Sequence, residues 1–263
     1  MKKSAIVGFL LAVGALAGCD YAQTLRFSES QALMPALRVE TDFRYNAGGG
    51  GWSLPAAPGT PEAEIREAGE PTDGGGIAFR LYGDWSHRQV RDSDMVRAGE
   101  TAVVDDVVFG PGTVEGAFKI NREDLGFKFL FFTRRYIFTA GVGVFWTHVW
   151  MDGSVHTTEA IPPIRSHFQT KNWGPGFVAF MEICPGIPEL RLYGQFTTWN
   201  AFDGTGYMAG TDREVGVKGR FRGISIFGGW RWEEIGGKTE HYSGESKLAF
   251  VINGPVFGMG VTF

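Results

Sequence analysis

Residues 37–45 read Leu-Arg-Val-Glu-Thr-Asp-Phe-Arg-Tyr, and the period of two in this stretch decides the fold class. Successive side chains of an extended strand point to opposite faces. Leu37, Val39, Thr41, Phe43 and Tyr45 therefore share one face, and Arg38, Glu40, Asp42 and Arg44 share the other. The pattern returns in Ile77, Phe79, Leu81, Gly83 and Trp85 against Arg80, Tyr82 and Asp84. It returns in Leu190, Leu192, Gly194 and Phe196 against Arg191, Tyr193 and Gln195, and in Val215, Val217, Gly219 and Phe221 against Glu214, Lys218 and Arg220. Ile224, Ile226, Gly228, Trp230 and Trp232 alternate with Ser225, Arg231 and Glu233. Two central runs, Phe127 to Phe131 around Lys128 and Phe138 to Trp146, behave alike.

In these runs one face carries no Lys, Arg, Asp or Glu, while the other carries Arg38, Glu40, Asp42, Arg44, Arg80, Asp84, Lys128, Arg191, Glu214, Lys218, Arg220, Arg231 and Glu233. A soluble sandwich also alternates, with its apolar face against a second sheet. Aromatic placement argues for lipid instead: Tyr45, Trp85, Tyr136, Trp146, Trp230, Trp232 and Phe263 stand at the ends of apolar faces, the level of lipid headgroups. A lipid-facing charge costs about 2–4 kcal/mol at the bilayer midplane, which accounts for its absence there. The charged face then lines the interior of a closed sheet, where both signs pair off.

Composition agrees. The chain has 263 residues, 43% hydrophobic and 21% charged, with net charge −4, so it is neither disordered nor built to coat a polyanion. Its 39 glycines, roughly twice average usage, join 14% aromatics without a collagen period. That combination suggests curved β-sheet. Beyond the first twenty or so residues no apolar run approaches the ~18 residues of a membrane helix.

Residues 1–18 are an export signal: Lys2 and Lys3, an apolar core from Ala5 to Leu16, then small residues. Leu16-Ala17-Gly18-Cys19 resembles the lipobox of bacterial lipoproteins, which implies a lipid on Cys19; plain cleavage nearby is the other reading. With Cys19 lipidated, Cys184 has no partner, and its Pro-Gly-rich surroundings read as a turn holding a small buried thiol. At the other end, Phe257-Gly258-Met259-Gly260-Val261-Thr262-Phe263 resembles the C-terminal signature of bacterial outer-membrane β-barrel proteins. The resemblance implies an all-β, antiparallel up-and-down transmembrane β-barrel over 35–263, preceded by a periplasmic segment at 19–34. It also implies the outer membrane of a Gram-negative bacterium as location and Phe263 as the residue read by the barrel assembly machinery. Outer-membrane lipids and lipopolysaccharide are the other partners expected, and the barrel is expected to be a monomer.

With both termini placed in the periplasm, counting back from Phe263 gives short inner turns at 133–135, 185–188 and 222–223. Long outer loops follow at 89–112, 152–172, 201–210 and 235–246. The count reaches about ten strands, within a range of eight to twelve, if a weak strand fills 62–69 between an outer loop at 47–61 and a turn at 71–75. The strand at 113–132 then carries an irregularity near 121–124. Leu248, Phe250 and Ile252 are even-numbered whereas Phe257, Met259 and Val261 are odd, and a bulge at Gly254-Pro255 would reconcile them.

A barrel of this size is too narrow for a general porin, so the expected role is structural or surface-interacting. A lipid hydrolase is the first alternative: His241-Tyr242-Ser243 with Glu245 resembles the His-x-Ser of lipid A deacylase barrels, although Gly244 replaces the asparagine that follows there. The second is a narrow small-solute path through the charged interior. His148, His156 and His167 with Asp152 and Glu159 have no spacing of a tight metal site. No phosphate loop or basic, aromatic-interleaved face appears, so neither cofactor, metal nor nucleic acid is expected. Arg91, Arg97, Arg165 and Lys171, assigned to outer loops, are the candidates for pairing with lipopolysaccharide phosphates.

Overall fold

The alternation carries through the computed structural model, which describes residues 22–46, 51–53, 76–133, 137–160, 162–187, 189–204, 206–221, 223–241 and 244–262; the side chains of 42–46, 51–53, 240, 241 and 262 fall outside that description. The strands in chain order are β1 (Leu25–Ser30), β2 (Met34–Asn46), β3 (Gly51–Ser53), β4 (Gly76–Val96), β5 (Ala102–Val104), β6 (Val107–Phe109) and β7 (Gly112–Phe132). They continue with β8 (Phe138–Thr157), β9 (Arg165–Ile183), β10 (Leu190–Phe202), β11 (Gly206–Phe221), β12 (Ile224–His241) and β13 (Gly244–Thr262). β2, β4 and β7 to β13 form a hydrogen-bonded ring of nine strands, not even about one axis: a near-barrel sheet.

Neighbours in the ring pair antiparallel except at its closure, where β2 and β13 run parallel from Met34↔Val256 to Glu40↔Thr262. An odd number of up-and-down strands forces this, since the first and last then point the same way. The expected count of about ten, within eight to twelve, meets a ring of nine among the described residues, with the expected strand at 62–69 and the turn at 71–75 outside them. If the end where β13 finishes is called lower, β2 descends and the chain enters the ring from above. Ala22 bridges Thr101 there. Ala22 and Thr262, the outermost described residues, lie at opposite ends of the ring, and β2 finishes at the lower end.

The strand ends that flank the turns expected at 133–135, 185–188 and 222–223, namely Phe132 and Phe138, Ile183 and Leu190, and Phe221 and Ile224, all lie at the lower end. The long upper loops do not exist as read. β4 continues to Val96, β8 to Thr157, β9 starts at Arg165, β10 and β11 are separated by 203–205, and β12 and β13 by 242–243. β7 passes 121–124 with unbroken pairing, and so does β13 at Gly254-Pro255, where Arg231↔Gly254 and Trp230↔Pro255 continue one register. No bulge is needed, because the two parities belong to two environments.

Inside and outside exchange chemistry halfway along the strands. In the lower half the outer face is apolar, Ile77 to Trp85 on β4 and Phe138 to Trp146 on β8, while Arg80, Asp84, Lys128, Glu214 and Arg231 are buried inside. In the upper half the outer face is Gln89, Arg91, Ser93, Lys119, Gln169 and Lys171, and the inside is packed with Val90, Phe118, Ile120, Met151, Phe250 and Ile252. Leu25 and Phe27 of β1 complete this upper core, Phe27 lying 4.9 Å from the Phe118 ring. Over it folds the β5–β6 hairpin. Asp105 and Asp106 have φ of 46° and 63°, the left-handed pair of a type I′ turn. Ser166 Oγ donates to the Val104 carbonyl at 2.8 Å, and Ser246 Oγ accepts the Asp105 N–H at 3.1 Å.

The glycine and aromatic excess has a local cause. Phe118 stands opposite Gly153, Phe145 opposite Gly176, Phe180 opposite Gly141 and Trp199 opposite Gly210. Each inward ring lies across a neighbour that lacks a Cβ; one placed on Gly176 would fall 2.1 Å from the Phe145 ring. This lets large rings fill a narrow interior.

β1 continues the line of β2 beside β13, from Leu25↔Leu248 to Ser30↔Asn253. Its other edge faces β4, and side chains join the two. Asp94 accepts the Arg26 N–H at 2.7 Å and Asp92 the Ser28 N–H at 2.6 Å.

Candidate functional site

The inward side chains of the lower half form three charged layers. Uppermost, Arg122 donates to Asp124 at 3.1 Å, to Asp212 at 2.7 Å and to Glu233 at 3.2 Å, and Thr147 donates to Asp124 at 2.7 Å. Arg88 pairs with the same Glu233 at 2.7 Å and donates to Ser86 at 3.0 Å. In the middle, Glu214 accepts from Arg38 and Arg231, each at 2.8 Å, and from the Tyr193 hydroxyl. Arg38 also reaches Asp84 at 2.9 Å and lies over the Phe227 ring at 4.1 Å. In the lowest layer Glu40 takes Lys218 and, at 3.4 Å, Arg80, which is 3.6 Å from Glu182. Lys128 donates to Gln195 at 3.2 Å and lies over the Tyr82 ring at 4.1 Å.

These groups are close to fully buried, so the pairing is what makes the interior tolerable. An isolated buried charge costs several kcal/mol, and removing one partner of a buried pair costs about 3–5 kcal/mol. The space left between them is small. A cavity of about 20 Å³ lies between Arg38, Glu40, Lys128, Glu182, Gln195 and Lys218, room for about one water molecule.

Of the residues assigned to the interior from sequence, Arg38, Glu40, Arg80, Asp84, Lys128, Glu214, Lys218, Arg231 and Glu233 lie buried within the ring. Arg191 and Arg220 are half-buried at its lower end. Asp42 and Arg44 belong to β2, with side chains outside the description. The sequence reading missed Arg88, Arg122, Asp124, Glu182 and Asp212. A signal for four of them was present: continuing the even parity of Asp84, Lys128 and Glu214 leads to Arg88, Asp124, Arg122 and Asp212. Glu182 lies on a strand whose alternation was not read.

Of the hydrolase candidates, only the backbone of His241 and the whole of Glu245 are described. His241 ends β12 opposite Gly244, its side chain outside the description, as is all of Ser243. Glu245 pairs with Lys238 and, at 3.5 Å, with Lys247. Trp232 closes the apolar face of β12, so His241 stands about 30 Å further along the strand at ~3.3 Å per residue. Cys19 and Phe263 also lie outside the described residues. Cys184 is half-buried, not buried, its thiol donating to the Ile187 carbonyl at 3.2 Å.

The histidines are distributed, not clustered. His148 stacks on Trp173 with ring centres 3.7 Å apart and is 3.3 Å from Glu123, His156 is 3.3 Å from Glu115, and His167 is 3.3 Å from Asp152. Glu159 accepts from Thr113 at 3.2 Å. Arg91, Arg165 and Lys171 stand on the outer wall of strands, not on loops, and Arg97 follows β4. No family model matches the chain, nor does any curated protein or any solved structure.

Proposed function

We propose that the chain is an outer-membrane β-barrel protein of Gram-negative type, embedded through its lower half, with a structural or surface-interaction role. The observation that carries this reading is the double inversion. Leu125, Phe131, Val142, Trp146, Phe177, Met181, Val215, Ile226 and Met259 are exposed on the outside, while the same strand segments bury paired charges inside. A water-soluble sheet would have no reason to expose so continuous an apolar surface. The apolar stretches Ile77–Trp85, Phe138–Trp146 and Ile224–Trp232 have the length of bilayer-crossing strands, ~9–11 residues. Trp85, Trp146, Trp173 and Trp232 stand at their upper limit, where an aromatic girdle belongs.

The upper half, with a polar wall and an apolar core, then projects beyond one face of the bilayer and offers the surface on which partners dock. The layered charges and the hairpin cap favour a closed interior over a small-solute path, and the height of His241 above the apolar band speaks against a rim hydrolase. Membrane fractionation followed by gel migration with and without boiling tests the reading. The protein is expected in the outer-membrane fraction with a heat-dependent shift; release by a salt or carbonate wash, without such a shift, overturns it.

A further inference from the structure

The buried charges are balanced in number but not along the axis. The two upper layers hold Arg38, Arg88, Arg122 and Arg231 against five carboxylates, those of Asp84, Asp124, Asp212, Glu214 and Glu233. The lowest layer holds the reverse. Arg80, Lys128 and Lys218 are buried there against the buried Glu40 and Glu182, with Arg191 and Arg220 half-buried at the mouth and Glu189 exposed beside them, its carbonyl accepting the Arg220 N–H at 2.8 Å.

Among the described cations of this mouth, Arg220 is the one short of acceptors. Glu40 is shared by Lys218, Arg80 and, at 4.0 Å, Arg220. That last separation is too long for a hydrogen bond, and Nε and Nη2 of Arg220 are both buried without a hydrogen-bond partner. Arg191 turns one guanidinium nitrogen onto the Leu190 carbonyl at 3.1 Å, and Lys128 has the Gln195 amide oxygen at 3.2 Å. β10 and β11 bring Arg191 opposite Lys218, with Arg220 at the next inward position below it. Buried N–H donors without acceptors are costly, and a guanidinium fork fits the paired oxygens of a phosphate or carboxylate.

We propose that the lower mouth of the ring is a binding vestibule for a small oxyanion of the phosphate class, held by Arg220 and Arg191 with Lys218 one inward position above Arg220. The vestibule needs only the ring, so it stands apart from whether the lower half lies in a bilayer. Its ligand is either a free anion or the phosphate of an anionic lipid headgroup reaching the mouth.

The test uses the full folded chain in phospholipid-free detergent, with thermal unfolding followed while sodium phosphate is titrated against sodium chloride at equal ionic strength. Phosphate is expected to raise the midpoint saturably where chloride does not, and Arg220→Gln and Arg191→Gln are each expected to weaken the apparent affinity about tenfold. Lys238→Gln, at the opposite end, leaves the response unchanged. Glycerophosphate in place of phosphate distinguishes the sources: a stronger response assigns the site to lipid headgroups, an equal or weaker one to the free ion. If Arg220→Gln does not fold, Arg220→Lys, which keeps the charge but loses the fork, is expected to fold and bind more weakly. Equal responses to phosphate and chloride, or an unchanged phosphate response in the variants, overturn the proposal.

Discussion

Ile252 and Phe257 stand on one uninterrupted strand, yet Ile252 is wholly buried inside the ring while Phe257 is 47% exposed on its outside. Both side chains obey the alternation of β13; what changes between them is the environment each face meets. The lower interior is a charged network and the upper interior an apolar core, with the outer surface inverted to match.

A charge placed on the outer apolar face should report that environment. Val217→Arg, on the lower outer wall of β11, is expected to destabilise the protein folded in lipid vesicles by about 2–4 kcal/mol. Gln89→Arg, on the upper outer wall of β4, is expected to change it by no more than about 0.5 kcal/mol. Denaturant-induced unfolding in the same vesicles measures both, and equal costs would show that the two walls meet the same medium.

Glu214 accepts from Arg38, Arg231 and Tyr193 at once. Glu214→Gln keeps the shape but strips the charge, leaving two buried guanidinium groups competing for fewer acceptors, and is expected to cost about 3–5 kcal/mol. A double-mutant cycle with Arg231→Met is expected to give a large positive coupling. Additive losses would mean the pair does not interact in the folded state.

Gly176 and Gly194 share a fold but not a surrounding. A Cβ on Gly176 meets the Phe145 ring at 2.1 Å, whereas one on Gly194 finds its nearest neighbour, Met181, at 3.7 Å. Gly176→Ala should therefore lower stability by about 1–3 kcal/mol and Gly194→Ala should be nearly silent. Thermal unfolding of the two variants side by side decides it.

The join between β1 and β4 rests on two carboxylates accepting backbone N–H groups. Replacing Asp92 and Asp94 together by Ala removes both acceptors and is expected to speed hydrogen exchange across Arg26 and Ser28, while the Asn pair, which keeps a carbonyl oxygen, should exchange more slowly than the Ala pair. Exchange read by mass spectrometry on peptides covering β1 supplies the comparison. Identical rates in parent and Ala variant would show that the carboxylates do not hold the strand.

If the lower half crosses a bilayer as proposed, the ring of nine puts Ala22 and Ile187 on opposite sides of it. In a Cys184→Ser background, with that parent as the blank, Ala22→Cys and Ile187→Cys should be labelled by a membrane-impermeant maleimide from opposite faces of intact cells and spheroplasts. Labelling of both from one face would mean that a further crossing strand lies among residues 54–75.

The sequence by itself determined the period of two, the segregation of charge from apolar side chains on each strand, and the lower turns near Pro185 and Gly223, because alternation and turn chemistry are local properties of the backbone. It also exposed the conflict between Ile252 and Phe257, which looked like a bulge when a single environment was assumed for the whole strand. Only the tertiary structure decided that polar stretches such as Gln89 to Arg91 and Gln169 to Lys171 are walls of strands, that Arg88 and Arg122 join the buried network, and that nine strands close with a parallel seam. The physical reason is that burial belongs to what lies across the ring and outside it. Besides its neighbour Asp124, Arg122 pairs with Asp212 and Glu233, on strands distant in the chain, and no window of neighbouring residues contains them.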